Sequence, residues 1–393
     1  MLFEWFSFIF VLSLILTWIY IIWELRSFRR ITDVFLNADV ELKNIPKVSV
    51  IVPAKDEQES IRKCLVSLTK QNYKNFECIL INDRSKDSTG AVMEEFAKKY
   101  SHFKMISINE LPEGWLGKNH ALQKGAELSS GEYLLFTDGD VLFEKEAILK
   151  AIQICVKNNL DHLCLLPKIN SKNWLLSSLN VFFGTVLISY LRPSLIGKSK
   201  RFYAGCGAFN MVKRSVYQSI GGHNRLRMEV LDDVMLGKLI SFSGFVCVMA
   251  YGRDLISLTW YSSVKEMILG FEKNGFAVME YSVFLSFLLG VSMLYFYFLP
   301  FVLIFFSLPL VQAGFILYLF LMLGVFFEIA RQLGYNPLIS LLVPFAAWIS
   351  YFAQVRSVFL NLIRGKVIWR ETAYSLEELK SHRKRLFCGI QGK

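Results

Sequence analysis

Two pairs of aspartates are spaced so that they could do chemistry. Asp138-Gly139-Asp140 follows the apolar run 133–137, and Asp232-Asp233 opens a stretch with helical spacing of apolar residues. Carboxylates at i and i+2 beyond a strand can face one ligand if the glycine lets the backbone turn, and their oxygens suit Mg²⁺ or Mn²⁺ bridging to phosphates. For this pair the alternative is a turn with solvated aspartates.

Asp232 and Asp233 are adjacent like charges, which are costly unless one is protonated, bound to metal or facing a substrate. Either side chain is therefore a candidate general base that takes a proton from an attacking hydroxyl. The alternative is that both carboxylates stabilise the positive end of the helix dipole. Two glycine segments flank this region, Gly205-Cys206-Gly207 and Gly221-Gly222, and permit a backbone to approach a ligand closely.

Three further polar clusters follow apolar runs. Asp83, in the segment 82–89, could accept hydrogen bonds from a nucleobase or from ribose hydroxyls, whereas Asp87, Ser88 and Thr89 are typical helix caps. Lys118 stands at the start of a helix, where a cation opposes the dipole, so an anion such as a diphosphate is expected nearby.

The cluster Pro53-Ala54-Lys55-Asp56-Glu57 ends the first apolar run of the soluble region. Its acidic residues could contact a nucleoside. Alternatively they start the next helix, where negative charge is favourable.

The elements that must position these residues alternate along the chain. Strands are predicted at 47–52, 76–81, 104–108 and 132–137, and helices at 59–69, 91–100 and 116–128. This alternation predicts an α/β domain with a mostly parallel sheet covered by helices on both faces. Ligands bind at the carboxyl ends of the strands in such sheets. The polar clusters that follow the predicted strands are expected to meet there.

The ends of the chain predict a membrane protein. Hydrophobic residues make up 53% of the sequence. Residues 5–23 carry no charge and are followed by Arg26, Arg29 and Arg30, which predicts an uncleaved anchor (1–25) whose carboxyl end lies in the cytosol. Three apolar blocks at 282–308, 311–327 and 337–362 predict about three further membrane helices within 281–363, placing a multi-pass protein in the plasma membrane with a cytosolic domain at 45–280.

Three crossings would put the basic tail (364–393) on the side opposite to the cytosolic domain, whereas the positive-inside rule favours a cytosolic tail. A cytosolic tail would require one block, such as the first with Pro300 inside it, to be re-entrant or interfacial.

The net charge of +11 gathers beside the apolar segments rather than in a stripe across the soluble region. This pattern predicts contact with anionic membrane lipids and argues against a nucleic-acid partner. The seven cysteines are scattered without a Cys-x-x-Cys pair, which predicts free thiols in a reducing compartment.

In their order and spacing, the clusters around Pro53, Asp83, Lys118, Asp138 and Asp233 resemble the family 2 glycosyltransferases with the GT-A fold. The resemblance covers about residues 45–280. The Gly114–Lys118 element, the segment 270–274 and the arrangement of membrane segments are most similar to the carotenoid- and hopanoid-associated members.

The resemblance implies an inverting, metal-dependent transfer of a sugar from a UDP- or GDP-sugar to a lipid-like acceptor. It implies that Asp83 contacts the base, Asp138 the ribose or diphosphate and Asp140 the metal, with Asp233 favoured over Asp232 as the base. Pro53, Ala54, Glu57 and Lys118 complete the expected donor site, and Gly205, Cys206 and Gly207 form the expected acceptor side.

This sequence departs from the family pattern in several places. Asn82 stands where the family often has Asp, and Asp56 where it often has Asn. The Gln-x-x-Arg-Trp motif of processive synthases is absent, which argues against polymer extrusion. A processive polysaccharide synthase and a non-catalytic membrane scaffold that retains the fold are the alternatives.

Overall fold

The computed structural model describes residues 2–36, 45–369 and 372–386. The chain forms two compact units. The helical unit comprises Met1–Ser27, Ser171–Arg192 and Trp260–Lys380, and the sheet unit comprises Phe28–Asn170, Pro193–Thr259 and Ser381–Lys393. The domain bounds expected from the sequence remain a prediction. Arg370 and residues 387–393 of the expected basic tail lie outside the described residues.

The strands of the described chain are β1 Val48–Ala54, β2 Phe76–Asp83, β3 Phe103–Ile108, β4 Tyr133–Phe136, β5 Leu142–Phe143, β6 His162–Leu166, β7 Lys168–Ile169, β8 Asn210–Lys213, β9 Cys247–Tyr251, β10 Ile256–Leu258, β11 Lys366–Trp369 and β12 Thr372–Ser375.

The α-helices of the same residues are α1 Leu2–Leu36, α2 Ile61–Thr69, α3 Thr89–Lys99, α4 Gly117–Leu128, α5 Ala147–Lys157, α6 Trp174–Leu191, α7 Arg214–Ser219, α8 Gly222–Arg225, α9 Asp232–Phe242, α10 Val264–Val278, α11 Val283–Tyr297, α12 Leu299–Leu303, α13 Pro309–Gln332, α14 Val343–Arg364 and α15 Leu376–Leu386. Short 3₁₀ turns occupy Pro193–Leu195 and Pro337–Leu342.

The core of the sheet unit is a mixed sheet, seven-stranded among the described residues, in the order β3-β2-β1-β4-β8-β6-β9. β1 pairs in parallel with both β2 and β4, and β2 with β3. β8 runs antiparallel to both of its neighbours. The buried, β-branched runs of β1 and β2 explain this central position, since strands covered on both faces are apolar throughout. The predicted α/β class with a mostly parallel sheet is confirmed.

β1 and β2 end together at one edge of the sheet. Their register pairs Pro53 with Ile81 and Ala54 with Asn82, so Asp83 extends one residue beyond the pairing. Pro53 lies inside β1, which ends at Ala54, two residues beyond the predicted end. Proline is tolerated there because the pairing with β4 already ends at Ile51.

A buried carboxylate fixes the opposite end of the same strands. Glu77 of β2 accepts hydrogen bonds from Ser49 of β1, from the backbone and hydroxyl of Ser130 before β4, and from Lys104 of β3 at 2.9 Å. Burial alone would raise the pKa of Glu77, but these hydrogen bonds outweigh it and lower the pKa to about 2. The register of four strands is thereby tied at the edge away from Asp83.

Five helices of the described chain are long and apolar enough to cross a membrane: Leu2–Phe35, Trp174–Leu195, Val283–Leu303, Pro309–Gln332 and Pro337–Arg364. The N-terminal segment and the three C-terminal blocks agree with the sequence analysis, which missed the second. That segment contains α6, whose eighteen residues carry no charge. Within the helical unit α6 packs against α13, where Gly184 faces Ile329 and Leu333.

Helices α1 and α13 run side by side in the same direction. The backbone N–H of Leu308, just before α13, donates to the Glu4 carboxylate near the start of α1. Farther along both helices, Trp18 lies edge-on to Phe326 at 5.3 Å between ring centroids. The end of α11 lies beside α1 as well, where the Tyr295 ring contacts Phe10, between Glu4 and Trp18.

The last apolar helix, α14, carries polar side chains that face α10. Arg356 donates to the Glu272 carboxylate at 2.8 Å, and Arg364 pairs with the same carboxylate. Ser357 and Asn361 donate to the Glu272 carbonyl. These contacts satisfy charged and amide groups that would be costly to expose to a bilayer core.

Candidate active site at the carboxyl ends of the strands

Hydrogen bonds between polar groups connect the loop after β1 to the loop after β2. The Lys86 N–H donates to Asp56 at 2.7 Å, and the Glu57 N–H donates to the Thr89 hydroxyl at 2.7 Å. Asp87 accepts from the N–H of Thr89, as expected for a residue that caps a helix start. Asp56, Asp87 and Thr89 therefore have structural partners that account for their residue types.

Asp83 ends β2 with its carboxylate almost fully buried, at 5% exposure. The guanidinium of Arg84 holds both oxygens, through Nε at 2.7 Å and Nη2 at 3.1 Å. A Cβ on Gly117, the first residue of α4, would lie 2.4 Å from Asp83 Oδ2. Only glycine lets α4 begin this close to the carboxylate, so Asp83 lies directly beside the start of the helix that carries Lys118.

The Asp138-Gly139-Asp140 turn lies over the end of β1. A Cβ on Gly139 would contact the Ala54 side chain at 3.4 Å and the Pro53 carbonyl at 3.7 Å. Burial raises the pKa of Asp140 to about 7, and the neighbouring charges of Asp138 and Glu57 add to this shift. The turn therefore gathers carboxylates beyond what the protein's own cations neutralise.

Lys118 brings the two aspartate pairs together. Its Nζ lies 2.7 Å from Asp138 Oδ1 and 3.7 Å from Asp232 Oδ1. Burial alone would lower the pKa of Lys118, but Asp138, Asp232 and Asp233 outweigh it and raise the pKa above its usual value. Lys118 therefore stays protonated, and the anions next to it in the free protein are carboxylates.

Asp233 is held rigidly at the start of α9. Its Oδ2 accepts the Gly207 N–H at 2.6 Å, and its Oδ1 accepts the Val234 N–H at 2.8 Å. The segment before Gly207 packs against the same turn, since a Cβ on Gly205 would lie 1.9 Å from the Asp233 carbonyl oxygen. The glycines at 205 and 207 thus bring the backbone to Asp233 itself.

Cys206 lies between these glycines. Burial, followed by the charge of Asp233, raises the pKa of the Cys206 thiol to about 12. A thiol that stays protonated at neutral pH is a poor nucleophile, which argues against covalent chemistry at Cys206.

One pocket in the sheet unit collects most of these groups. Its walls are formed by Lys118, Leu122, Phe136, Thr137, Asp138, Gly207, Asn210, His223, Asp232, Asp233 and Leu236. Of the site residues predicted from sequence, Lys118, Asp138, Gly207, Asp232 and Asp233 line it. Gly205 and Cys206 immediately precede Gly207 in the chain. Asp83 lies next to Gly117, which immediately precedes Lys118. Pro53, Ala54, Glu57 and Asp140 lie at the neighbouring Asp138–Asp140 turn instead.

Two pocket residues were missed by sequence reasoning. Asn210 donates to the Asp233 carbonyl, and buried His223 shares a hydrogen bond with the Tyr217 hydroxyl at 2.9 Å. Burial, followed by the positive charge of Lys118, lowers the pKa of His223 to about 3, so it is neutral. The only sequence signal for His223 was its position after Gly221-Gly222.

The pair Gly221-Gly222 approaches protein rather than ligand. A Cβ on Gly222 would lie 2.5 Å from the Tyr217 ring, and one on Gly221 would lie 2.9 Å from the Arg225 side chain. The expectation of close backbone approach was right for these glycines, but a tyrosine and an arginine occupy the space that was expected to hold a ligand.

A divalent cation fits the chemistry of the Asp138–Asp140 turn. Its donors are carboxylate oxygens, which Mg²⁺ and Mn²⁺ prefer, and the pKa of Asp140 is raised by burial and, after that, by the charges of Asp138 and Glu57. Among the described residues, however, no group of three or more His, Cys, Asp or Glu side chains is arranged to hold a metal. A cation here would therefore share its coordination with a bound ligand, as Mg²⁺ does with substrate phosphates.

Comparison with known proteins identifies a family domain that includes most of the sheet strands around this site. Residues 49–221 match the model of "Glycosyl transferase family 2". A mannosyltransferase of Pyrobaculum calidifontis, solved with GDP-Man and Mn²⁺, superposes with a TM-score of 0.53 at 14% identity, covering 93% of this chain and 100% of that chain. At this identity the likeness shows the fold alone.

Two curated relatives match part of this chain. The probable glycosyltransferase YdaM of Bacillus subtilis is 30% identical over 185 residues, which are 46% of this chain and 44% of that protein. The 4,4'-diaponeurosporenoate glycosyltransferase of Staphylococcus haemolyticus is 26% identical over 230 residues, 58% of this chain and 60% of that protein. The chain thus spans about half the length of these relatives. Residues 49–221 form a glycosyl transferase family 2 domain, and the fold is of the GT-A type.

Proposed function

We propose that the protein transfers a sugar from a nucleotide-diphosphate donor to a lipid-like acceptor, with inversion at the anomeric carbon and with a divalent cation. The observation that carries this proposal is the pocket in which Lys118, Asp138, Asp232 and Asp233 converge at the carboxyl ends of the strands of a family 2 domain.

The donor would lie across the strand ends with its base and ribose toward Asp83 and its diphosphate toward Asp138 and Lys118. Lys118 is already protonated and beside Asp138, so a diphosphate could replace a carboxylate as its partner without any proton transfer. Asp140, with Asp138 beside it, would hold Mg²⁺ or Mn²⁺. The cation supplies neutralisation of the charge that builds on the leaving diphosphate.

In the transfer step an acceptor hydroxyl oxygen attacks the anomeric carbon on the face opposite the diphosphate. Asp233 takes the hydroxyl proton, the new glycosidic C–O bond forms, and the bond from carbon to the diphosphate oxygen breaks. The nucleoside diphosphate leaves with the bonding electrons. Two backbone N–H groups fix the orientation of Asp233, which suits a base that must meet one hydroxyl in one direction.

Two observations support an acceptor of lipid character. The chain carries apolar helices of membrane-spanning length on both sides of its catalytic region. The relative from Staphylococcus haemolyticus is named for glycosyl transfer to 4,4'-diaponeurosporenoate. An acceptor that dissolves in a bilayer would reach the site without leaving the membrane surface.

The contacts of the chain also support a membrane topology with cytosolic catalysis. Residues 259 and 381 both belong to the sheet unit, so with that unit on one side of the membrane the chain between them would cross it an even number of times. α1 and α13 run in the same direction, so α11 and α12 would carry the chain outward and α13 would return it. α14, with its polar contacts to α10, would lie along the cytosolic interface.

An epitope tag inserted in the full-length chain tests this topology. We expect a tag after Phe306 to be detected by antibody on intact cells, because this turn follows the outward crossing. A tag after Gly334 and one at the carboxyl terminus should be detected only after the membrane is permeabilised. The opposite pattern for the first two tags would show that the 283–303 segment does not cross.

Donor turnover tests the function itself. Purified protein with Mn²⁺ and a panel of UDP- and GDP-sugars is expected to release nucleoside diphosphate, and faster when membrane lipid extract supplies an acceptor. Asp140→Ala should abolish metal-dependent donor binding, measured by calorimetry, since it removes the proposed ligand. Asp254→Ala, which changes a 75% exposed carboxylate elsewhere in the sheet unit, is the matched control.

If no donor is bound or turned over by the wild-type protein with metal present, the scaffold interpretation replaces the enzymatic one. Release of long sugar polymers, rather than one or a few sugars on a lipid, would favour the processive synthase.

The role of Asp233 has its own test. Asp233→Asn should leave donor binding nearly intact and lower kcat by about 10²–10⁴-fold, the range for loss of a positioned general base. Asp232→Asn, the matched neighbour, should act mainly on donor affinity through Lys118. Near-normal turnover by Asp233→Asn would remove the base assignment, and a larger kcat loss in Asp232→Asn would transfer it to that residue.

A further inference from the structure

The turn that leads into Asp232 and Asp233 is held from two sides by distant parts of the chain. This turn, residues 225–230, contains a backbone hydrogen bond from Glu229 to the Leu226 carbonyl and ends just before α9. Its position decides where α9 begins, and therefore where both aspartates stand in the pocket.

The first support comes from the segment next to Lys118. Asn119, which is fully buried, donates from Nδ2 to the carbonyls of Leu226 and Glu229 at 2.6 and 2.9 Å. The Leu116 N–H donates to the Arg227 carbonyl at 2.8 Å. The 225–230 turn and the Lys118 element are thus one hydrogen-bonded assembly.

The second support comes from the end of the described chain. Arg383 donates through Nε to Glu229 Oε2 at 2.8 Å, and its Nη2 contacts the same oxygen. The Arg225 guanidinium donates to the Leu386 carbonyl at 2.6 Å, and His382 Nε2 donates to the Arg225 carbonyl at 3.0 Å. Residues 382–386, which the sequence analysis assigned to a basic tail, therefore pack against the 225–230 turn.

The Arg383–Glu229 pair is buried, with side-chain exposures of 8% and 1%. Burying two charges carries a desolvation penalty, and apolar residues of similar volume often stabilise a fold as well or better. What the pair adds over an apolar contact is direction, because a guanidinium and a carboxylate bond only in a defined geometry.

We propose that Arg383 is a positioning residue for the transfer reaction: acting through Glu229, it fixes the 225–230 turn and thereby the placement of Asp232 and Asp233 against Lys118. This inference rests on the proposed function. It assigns to the C-terminal segment a role in catalysis, separate from any attraction of its basic side chains to anionic lipids.

The test compares three variants of the full-length protein. Arg383→Met removes the charge, and the double variant Glu229→Met with Arg383→Met replaces the pair by apolar side chains. Arg385→Met is the matched control, since this exposed arginine donates to Ser381 of its own helix. The measurements are kcat, donor KM, the apparent melting temperature, and hydrogen exchange of the backbone amides of residues 226–237.

Arg383→Met is expected to lower kcat by about tenfold or more, because small displacements of reacting groups have effects of this size. Donor KM should change less than kcat, because Asp83 and the Lys118–Asp138 contact are untouched and only the contact of Lys118 with Asp232 shifts. Exchange in 226–237 should rise. The double variant should recover the melting temperature but not kcat. If the pair only stabilised the fold, kcat would recover together with the melting temperature. Arg385→Met should change neither kcat, donor KM, melting temperature nor exchange.

Recovery of kcat in the double variant would overturn the proposal, and so would an equal loss in Arg385→Met. If Arg383→Met fails to fold, the double variant decides alone: kcat equal to wild type overturns the proposal, and a low kcat supports it. If the wild-type protein turns over no donor, the proposed function has failed. Exchange then decides separately, since unchanged protection of residues 226–237 in Arg383→Met overturns the positioning role.

Discussion

The ammonium group of Lys118 lies between carboxylates that come from two distant segments, Asp138 after β4 and Asp232 at the start of α9. This concentration of negative charge at one edge of the sheet is tolerable because the partly buried Lys118 stays protonated among the carboxylates. The carboxylate of Asp140 is less well accommodated, since burial and its acidic neighbours raise its pKa to about 7. A cation together with a diphosphate would complete the balance, which is why the site suits a nucleotide-sugar donor.

The parts predicted from sequence were those encoded locally. Apolar runs ending in polar turns revealed the parallel strands, and Asp83 and Asp138 were singled out because each follows such a boundary. Asp233 was singled out because it adjoins a like charge at the start of a helical stretch. Charge at a helix start predicted an anion beside Lys118, and carboxylates supply it. Asp87 precedes Ser88, the N-cap residue of α3, and its carboxylate accepts the N–H of Thr89, the first residue of that helix.

The parts that were missed depend on pairing across long separations. The antiparallel placement of β8 is set by its two neighbours and leaves no periodic signal in four residues. His223 is a pocket residue because Tyr217 and Phe136 fold around it. The Arg383–Glu229 contact joins residues 154 positions apart, and a basic run is typical of a solvated tail. α6 was missed because its apolar run is surrounded by a soluble pattern.

The most direct test of the central claim is to locate manganese in crystals of the protein grown with a nucleoside diphosphate. Anomalous scattering from Mn²⁺ should give a peak at bonding distance, about 2.0–2.3 Å, from the Asp140 carboxylate. The diphosphate should lie within hydrogen-bonding reach of Lys118. A fully bound nucleotide with no manganese at Asp140, or with manganese held by carboxylates outside the Asp138–Asp140 turn, would contradict the account.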